Sequence, residues 1–512
     1  MDIASAKQQI KNTVQIYLQK DALGRYRLPL VHQRPIFLLG APGLGKTAIM
    51  QQVADEMGLG LVSYSMTHHT RQSALGLPVI VEKEYGGKHY QVSEYTMSEI
   101  IASVYDCMRT TGKTQGILFL DEINCVSETL SPAMLLFLQY KVFGGHQIPE
   151  GWVVVTAGNP PRFNKSVREF DAATRDRLKV IEVEPSYEAW KAYALEHGVS
   201  RSVISYLDIR PEDFYKVETT VDGLTVVTPR AWEDLSEILQ YHEELGLAVG
   251  EELTTQYLQN KQVARDFAIY YELYQKYRQA YNIDAILQGV WDEDVLTQAR
   301  SAKMDERMSL VSLLLAGLDT RFTASLQADA VADACYAFLR ETKKALATLP
   351  EDIPDGSAEL FSQQIKDYET ETQQKRDAGL LGRAELTNRL QVQAALHQWE
   401  GELRRANAAG TQEAFDLLRG QFRALADQRE ATQKTAAAAL EAAFDFMEQA
   451  FAESQEMVVF VTELTVNPAS HQFLTENGCE RYFKYNKDLL LDHRKAALQQ
   501  ELAAEQRRHG GV

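Results

Sequence analysis

The chain has 512 residues, 45% of them hydrophobic and 24% charged, and a formal net charge of −18. That composition is ordinary for a folded globular protein and excludes the disordered, fibrous and collagen-like classes, while the length suits roughly three to four folding units. The acidic balance weighs against a surface built to displace counterions from nucleic acid. No apolar run reaches membrane-span length, so no membrane association is expected. Cys107, Cys125, Cys335 and Cys479 are not spaced as zinc ligands, and four thiols in a chain of this length suit a reducing compartment. With no apolar leader-like run in Met1–Lys20, the expectation is a cytoplasmic protein.

In chain order, Ile3, Ile10, Val14 and Leu18 fall at near-helical spacing. Pro35–Gly40 (PIFLLG) predicts a short buried strand, followed by a glycine-rich turn and a helix from about Lys46 to Met57. Leu61–Ser65 predicts a second strand. Val79–Tyr85 and Lys88–Tyr95 flank Gly86-Gly87, the pattern of a hairpin. Met97–Arg109 predicts a helix. Gly116–Asp121 (GILFLD) is a continuous apolar run ending in acid, as a central parallel strand would be. Leu130–Tyr140 predicts a helix, Gly144-Gly145 a second hairpin, and Trp152–Ala157 and Val180–Val183 two further buried strands.

Strands alternating with helices over residues 30–185 predict an α/β fold with a parallel sheet. Three domains follow from the change in character: an α/β core over 1–185, a helical lid over 186–300 with an extended stretch near Thr219–Thr228, and an all-α extension over 301–512. Leu349–Gly356 (LPEDIPDG) reads as a linker inside the extension. The Ala-, Gln-, Glu-, Leu- and Arg-rich sequence beyond it predicts long packed helices, with the alanine-rich run Thr435–Ala443 marking close helix contact.

The chemistry concentrates in the core. Gly40-Ala41-Pro42-Gly43-Leu44-Gly45-Lys46-Thr47 fits GxxxxGK[ST] and lies between a predicted strand and a predicted helix, the context this motif requires. Glycines let backbone N–H groups close around a polyphosphate, and the helix N-terminus adds favourable partial charge. Lys46 would reach the β- and γ-phosphates of ATP and Thr47 would ligate Mg²⁺. Asp121 and Glu122 end the strand Gly116–Asp121: Asp121 would hold Mg²⁺, and Glu122 would polarise the attacking water. Asn159 ends the next core strand, where a neutral amide can orient that water or touch the γ-phosphate. Arg175 and Arg177 are both candidates for a guanidinium that stabilises phosphoryl charge from a neighbouring subunit, and Arg230 in Thr228-Pro229-Arg230-Ala231 could reach the γ-phosphate from the lid.

The order of these segments resembles the AAA+ ATPases, and more narrowly their MoxR-like, helix-2-insert branch. The resemblance rests on Gly40–Thr47, Leu120-Asp121-Glu122-Ile123-Asn124, Gly158-Asn159-Pro160, Asp176-Arg177-Leu178 and Thr228-Pro229-Arg230-Ala231, and it spans roughly residues 5–300. It implies ATP hydrolysis in a ring of like subunits, usually a hexamer. Asn159 would be sensor 1, Arg177 the arginine finger acting in trans, and Arg230 sensor 2. The hairpins Val79–Tyr95 and Lys141–Pro149 would face the ring pore or a partner. Relatives remodel a protein partner, often one carrying a von Willebrand factor A domain. Cys125-Val126 and Leu178 depart from the pattern, which keeps Arg175 beside Arg177 as a candidate finger.

Three other features have a plainer reading. His68-His69 point opposite ways on an extended segment and suit a loop better than a metal site. The aromatic run Phe267–Tyr281 falls at helical spacing and reads as lid core rather than a base-stacking surface. Arg481–Lys487 reads as the start of an amphipathic helix. The rival function is a nucleic-acid-linked NTPase motor of restriction or defence type, with Lys83, Lys88 and Lys141 as the basic hairpin residues it would use.

Overall fold

A computed structural model describes residues 1–68, 71–163, 167–220, 223–348, 356–377, 381–406, 410–452 and 454–487. His69 and most of the Leu349–Gly356 linker lie outside the described residues, as does the end of the chain beyond residue 487. The chain divides into two compact units. The first is Met1–Lys191 with Pro211–Leu235 and Thr255–Lys261; the second is Ala192–Arg210, Ser236–Thr254 and Gln262–Val512. The stretch read as one lid therefore contributes to both units.

The first unit is built on helices α1 (Ile3–Tyr17), α2 (Ala48–Glu56), α3 (Arg71–Leu75), α4 (Glu99–Thr111), α5 (Ser131–Tyr140) and α6 (Ala172–Asp176). Its strands are β1 (Ile36–Gly40), β2 (Gly60–Ser65), β3 (Pro78–Tyr85), β4 (Lys88–Tyr95), β5 (Gly116–Asp121), β6 (Val142–Phe143), β7 (His146–Gln147), β8 (Trp152–Gly158), β9 (Lys179–Val183), β10 (Lys216–Thr220) and β11 (Gly223–Val227). Five of them form one sheet in the order β2-β5-β8-β1-β9, paired parallel throughout. The remaining six form three antiparallel hairpins, two of which are the glycine-turn hairpins read from the sequence. The extended stretch near Thr219–Thr228 is the third.

Strand periodicity explains the layering, because side chains alternate between the two faces of the sheet. Phe37, Leu118, Leu120 and Val154 face one core, against Ile100, Ile101 and Val104 of α4 and Met134, Phe137 and Leu138 of α5. Ile36, Leu38, Ile117, Phe119, Val153 and Val155 face the other, against Ala6, Ile10 and Val14 of α1 and Ile49, Met50 and Val53 of α2. Both faces are covered, so the strands are apolar runs rather than alternating ones. Helix ends are fixed locally. The Ser98 hydroxyl accepts from the Ile101 N–H at 3.2 Å at the start of α4, and Gly112 closes that helix in the left-handed region.

The chain continues through α7 (Tyr187–Glu196), α8 (Arg201–Ile209), α9 (Pro229–Leu245), α10 (Glu251–Leu258), α11 (Lys261–Tyr281), α12 (Ile283–Leu287) and α13 (Glu293–Ser301). It goes on through α14 (Met304–Leu346), α15 (Gly356–Asp377), α16 (Arg383–Ala406), α17 (Thr411–Phe451), α18 (Gln455–Val466) and α19 (Pro468–Asn477). In the second unit, Leu310, Leu314, Leu318 and Phe322 of α14 share a core with Ala436, Ala439, Leu440, Ala443 and Met447 of α17. The alanine-rich run thus buries its small side chains where two long helices meet. Phe267, Tyr271, Tyr274 and Tyr281 of α11 are buried, and Phe267 meets Tyr206 edge-on at 5.3 Å, so the aromatic run is core. The run Met457–Val461 lies in α18, whose buried Glu456 and Glu463 pair with Arg307 at 2.8 Å and Arg201 at 3.4 Å. Among the described residues, no helix is long and apolar enough to cross a membrane.

Candidate active site

In a parallel sheet all strand C-termini open on one edge, where ligands of open α/β folds bind. Here that edge carries Gly40 from β1, Ser65 from β2, Asp121 from β5 and Gly158 from β8. The register puts Ser65 opposite Asp121 and Leu39 opposite Gly158. The sequence motifs, far apart along the chain, are therefore delivered to one place.

The phosphate loop leaves β1 and turns twice through left-handed glycines, Gly43 at φ +76° and Gly45 at φ +81°; α2 begins only at Ala48, two residues later than expected. Lys46 is 7% exposed. Its ammonium has three N–H groups, and three neutral oxygens accept them: Gly40 O at 2.9 Å, Ala41 O at 2.7 Å and Asn159 Oδ1 at 3.0 Å. Burial pushes the Lys46 pKa down to about 8, against the raising influence of Asp121 and Glu122; the Arg230 charge adds to the lowering. This buried cation, which among the described residues pairs directly with no carboxylate, suits an anionic ligand.

Thr47 donates from Oγ1 to Asp121 Oδ2 at 2.7 Å. A hydroxyl and a carboxylate oxygen meeting at that edge are the hard oxygen donors that Mg²⁺ takes. Glu122 follows with φ 54° and ψ 35°, an uncommon backbone conformation for a non-glycine residue. Its N–H donates to Asp121 Oδ1 at 2.8 Å. Its Oε2 accepts from Ser65 Oγ at 3.2 Å and from Thr67 Oγ1 at 3.0 Å. The carboxylate is thus aimed by two hydroxyls at the end of β2.

Arg230 lies in the first turn of α9 with an exposed side chain. Its backbone N–H approaches Gly43 O at 3.4 Å, and Thr228 packs so close that a Cβ on Gly43 would lie 2.8 Å from the Thr228 Cβ. Glycine at 43 thus meets two requirements, the left-handed turn and the contact with Thr228. Arg175 and Arg177 stand at the end of α6, both exposed. Arg175 pairs with Glu182 at 3.6 Å, whereas among the described residues the Arg177 side chain donates only to Ala173 O of its own helix, at 3.2 Å.

The structure thus brings together Lys46, Thr47, Asp121, Glu122, Asn159 and the backbone at Arg230. It does not bring Arg175 or Arg177 into hydrogen-bond contact with that group. Ser65 and Thr67 were not singled out from the sequence, because single hydroxyls carry no pattern; Thr228 stands in the sequence only as part of the Arg230 motif, and its contact with Gly43 comes from the fold. The basic hairpin residues are corrected in part. Lys141 is 2% exposed, donating to Leu138 O, and Lys83 is ion-paired to Glu94, which leaves Lys88 as the one of the three with neither engagement among the described residues.

Residues 35–178 match the family model described as an AAA domain of the dynein-related subfamily. A search of curated proteins finds no match. The matched segment runs from the start of the phosphate-loop strand to just past Arg177, so the parallel-sheet core is an AAA+ ATPase domain, followed by long helices.

Proposed function

We propose that the chain is a Mg²⁺-dependent ATP hydrolase of the MoxR-like branch, acting as a ring of like subunits, a hexamer, in the cytoplasm. Its work is to remodel a protein partner, of which a von Willebrand factor A domain protein is the type. The observation that carries the reading is the convergence of Lys46, Thr47, Asp121, Glu122 and Asn159 within direct hydrogen-bond contacts at one sheet edge. In the reaction ATP and water give ADP and phosphate. Phosphoryl transfer needs positioning and charge stabilisation more than covalent chemistry. The phosphate-loop amides and Lys46 bind and orient the polyphosphate. Thr47 and Asp121 would hold Mg²⁺, which when bound would supply positive charge to the phosphates. Glu122 polarises the attacking water, Asn159 orients the γ-phosphate end, and Arg230 supplies charge from α9.

The finger is Arg177, acting on the next subunit's site. Its guanidinium makes no ion pair among the described residues and stands exposed, while Arg175 is engaged by Glu182. A protein partner rather than a nucleic acid is favoured by the hairpin β3–β4, which exposes Ile80, Tyr85 and Tyr90, by the net charge of −18, and by the engagement of Lys83 and Lys141. The test is phosphate release from MgATP by the purified chain, with and without DNA at moderate salt. DNA-independent turnover supports the reading; turnover that requires DNA transfers the chain to the motor class.

A further inference from the structure

Asn124 lies two residues after Glu122, in the single 3-10 turn Ile123–Cys125, and the reading above gives it no task. It is nonetheless a polar side chain taken into the core, 5% exposed. Its Nδ2 donates to the backbone carbonyl of Asn159 at 2.8 Å. Its own backbone carbonyl accepts from the Arg168 N–H at 2.9 Å. Its Oδ1 is buried and, among the described residues, without a hydrogen-bond partner. Leaving an amide oxygen unsatisfied costs stability, so a carboxamide retained there has to be explained by its other half.

Gly158 supplies an independent observation. It ends β8 with an ordinary strand partner in Leu39 and without a positive φ, so its backbone needs no glycine. What it provides is room: a Cβ there would lie 2.4 Å from Asn124 Oδ1 and 2.9 Å from Phe37 Cε2. The glycine before Asn159 is therefore the space into which the Asn124 side chain fits.

We propose that Asn124 is a positioning residue for the nucleotide site, resting on the reading that the site hydrolyses ATP. It ties the Asn159 peptide to the turn that carries Glu122, and so sets the Asn159 carboxamide on Lys46. Binding of the polyphosphate, made by the loop backbone and Lys46, does not need this tie. The step that requires Lys46, Asn159 and Glu122 in one geometry does, because small misplacements in a reacting arrangement are costly.

The test compares wild type with Asn124→Ala, Asn124→Asp, Gly158→Ala and the double variant Asn124→Ala/Gly158→Ala. MgATP affinity is read with a fluorescent ATP analogue, kcat by phosphate release, and folding by melting temperature. Asn124→Ala is expected to keep its affinity within about threefold of wild type while kcat falls on the order of tenfold or more. Asn124→Asp, equal in size but facing the Asn159 carbonyl with an acceptor, is expected to lose kcat as Asn124→Ala does. The losses from Asn124→Ala and Gly158→Ala are expected to combine to less than their product, since the first removes the nearer of the two groups the second would strike. Wild-type kcat in Asn124→Ala or Asn124→Asp, or losses that multiply in the double variant, overturns the proposal. A wild-type chain that binds MgATP without turnover overturns the hydrolysis reading instead. The cycle is then read in melting temperature, where non-additive losses sustain the placement of Asn159 by Asn124 and additive losses overturn it.

Discussion

Lys141 sits at the end of α5 at φ 59°, 2% exposed, with its carbonyl accepting from the Ile148 N–H at 3.1 Å at the base of the β6–β7 hairpin. Its ammonium donates to Leu138 O. Burial alone pushes its pKa down to about 8 from the usual 10.5. The sign of the pH effect follows. Below about pH 8 both folded and unfolded chains carry the proton, and the unfavourable burial of charge is fully present. As pH rises from there toward 10.5 the folded chain sheds its proton first, and stability climbs by up to about 3 kcal/mol from this group. Lys141→Met keeps much of the stem and removes the charge. Denaturant unfolding of both chains between pH 7 and pH 10 isolates the effect, because Lys46 and every other titrating group are common to both. Relative to wild type, Lys141→Met is expected to lose stability steadily above pH 8, by a total approaching about 3 kcal/mol. A stability difference that stays constant from pH 7 to pH 10 refutes the argument from burial.

Three further outcomes are expected. Lys46→Ala should abolish MgATP binding, measured by titration calorimetry; retained affinity would remove the phosphate loop from the site. Gly43→Ala forces a Cβ into the left-handed region, at about 1–2 kcal/mol, and against Thr228, so both melting temperature and MgATP affinity should fall; two unchanged values would show that the Thr228 contact is not maintained. Arg177→Ala should lower turnover on the order of a thousandfold while leaving binding intact, and mixing it with Lys46→Ala subunits should restore part of the rate, since each supplies what the other lacks. Equal losses from Arg175→Ala, or no recovery on mixing, would argue against Arg177 acting in trans.

The core was legible where one signal suffices. β1, β5 and β8 are continuous apolar runs because helices cover both sheet faces. The hairpin β3–β4 announces itself through Gly86-Gly87, and its strands lie within one residue of the expected limits. The phosphate loop, Asp121, Glu122 and Asn159 were legible through motif order, yet their mutual contacts were not. That Asn159 accepts from Lys46, 113 positions earlier, depends on β8 lying beside β1. The hydroxyls of Ser65 and Thr67 reach Glu122 because β2 pairs with β5 in a register no local pattern encodes. Lys141 looks like a surface base in sequence, and only the packing of α5 and its hairpin buries it. In the second unit, composition marked long helices, but buried pairs such as Arg307–Glu456 follow from helix placement rather than from any spacing.

One site, built from the phosphate loop and the Asp121-Glu122 pair, is proposed to hydrolyse ATP with Glu122 polarising the water. Glu122→Gln preserves size and the two hydroxyl contacts while removing the negative charge. Incubated with Mg²⁺ and radiolabelled ATP, this variant is expected to retain intact ATP on the protein and to release phosphate at a rate lowered by a hundredfold or more, an order set by loss of a general base. Phosphate release at the wild-type rate by Glu122→Gln would contradict the account.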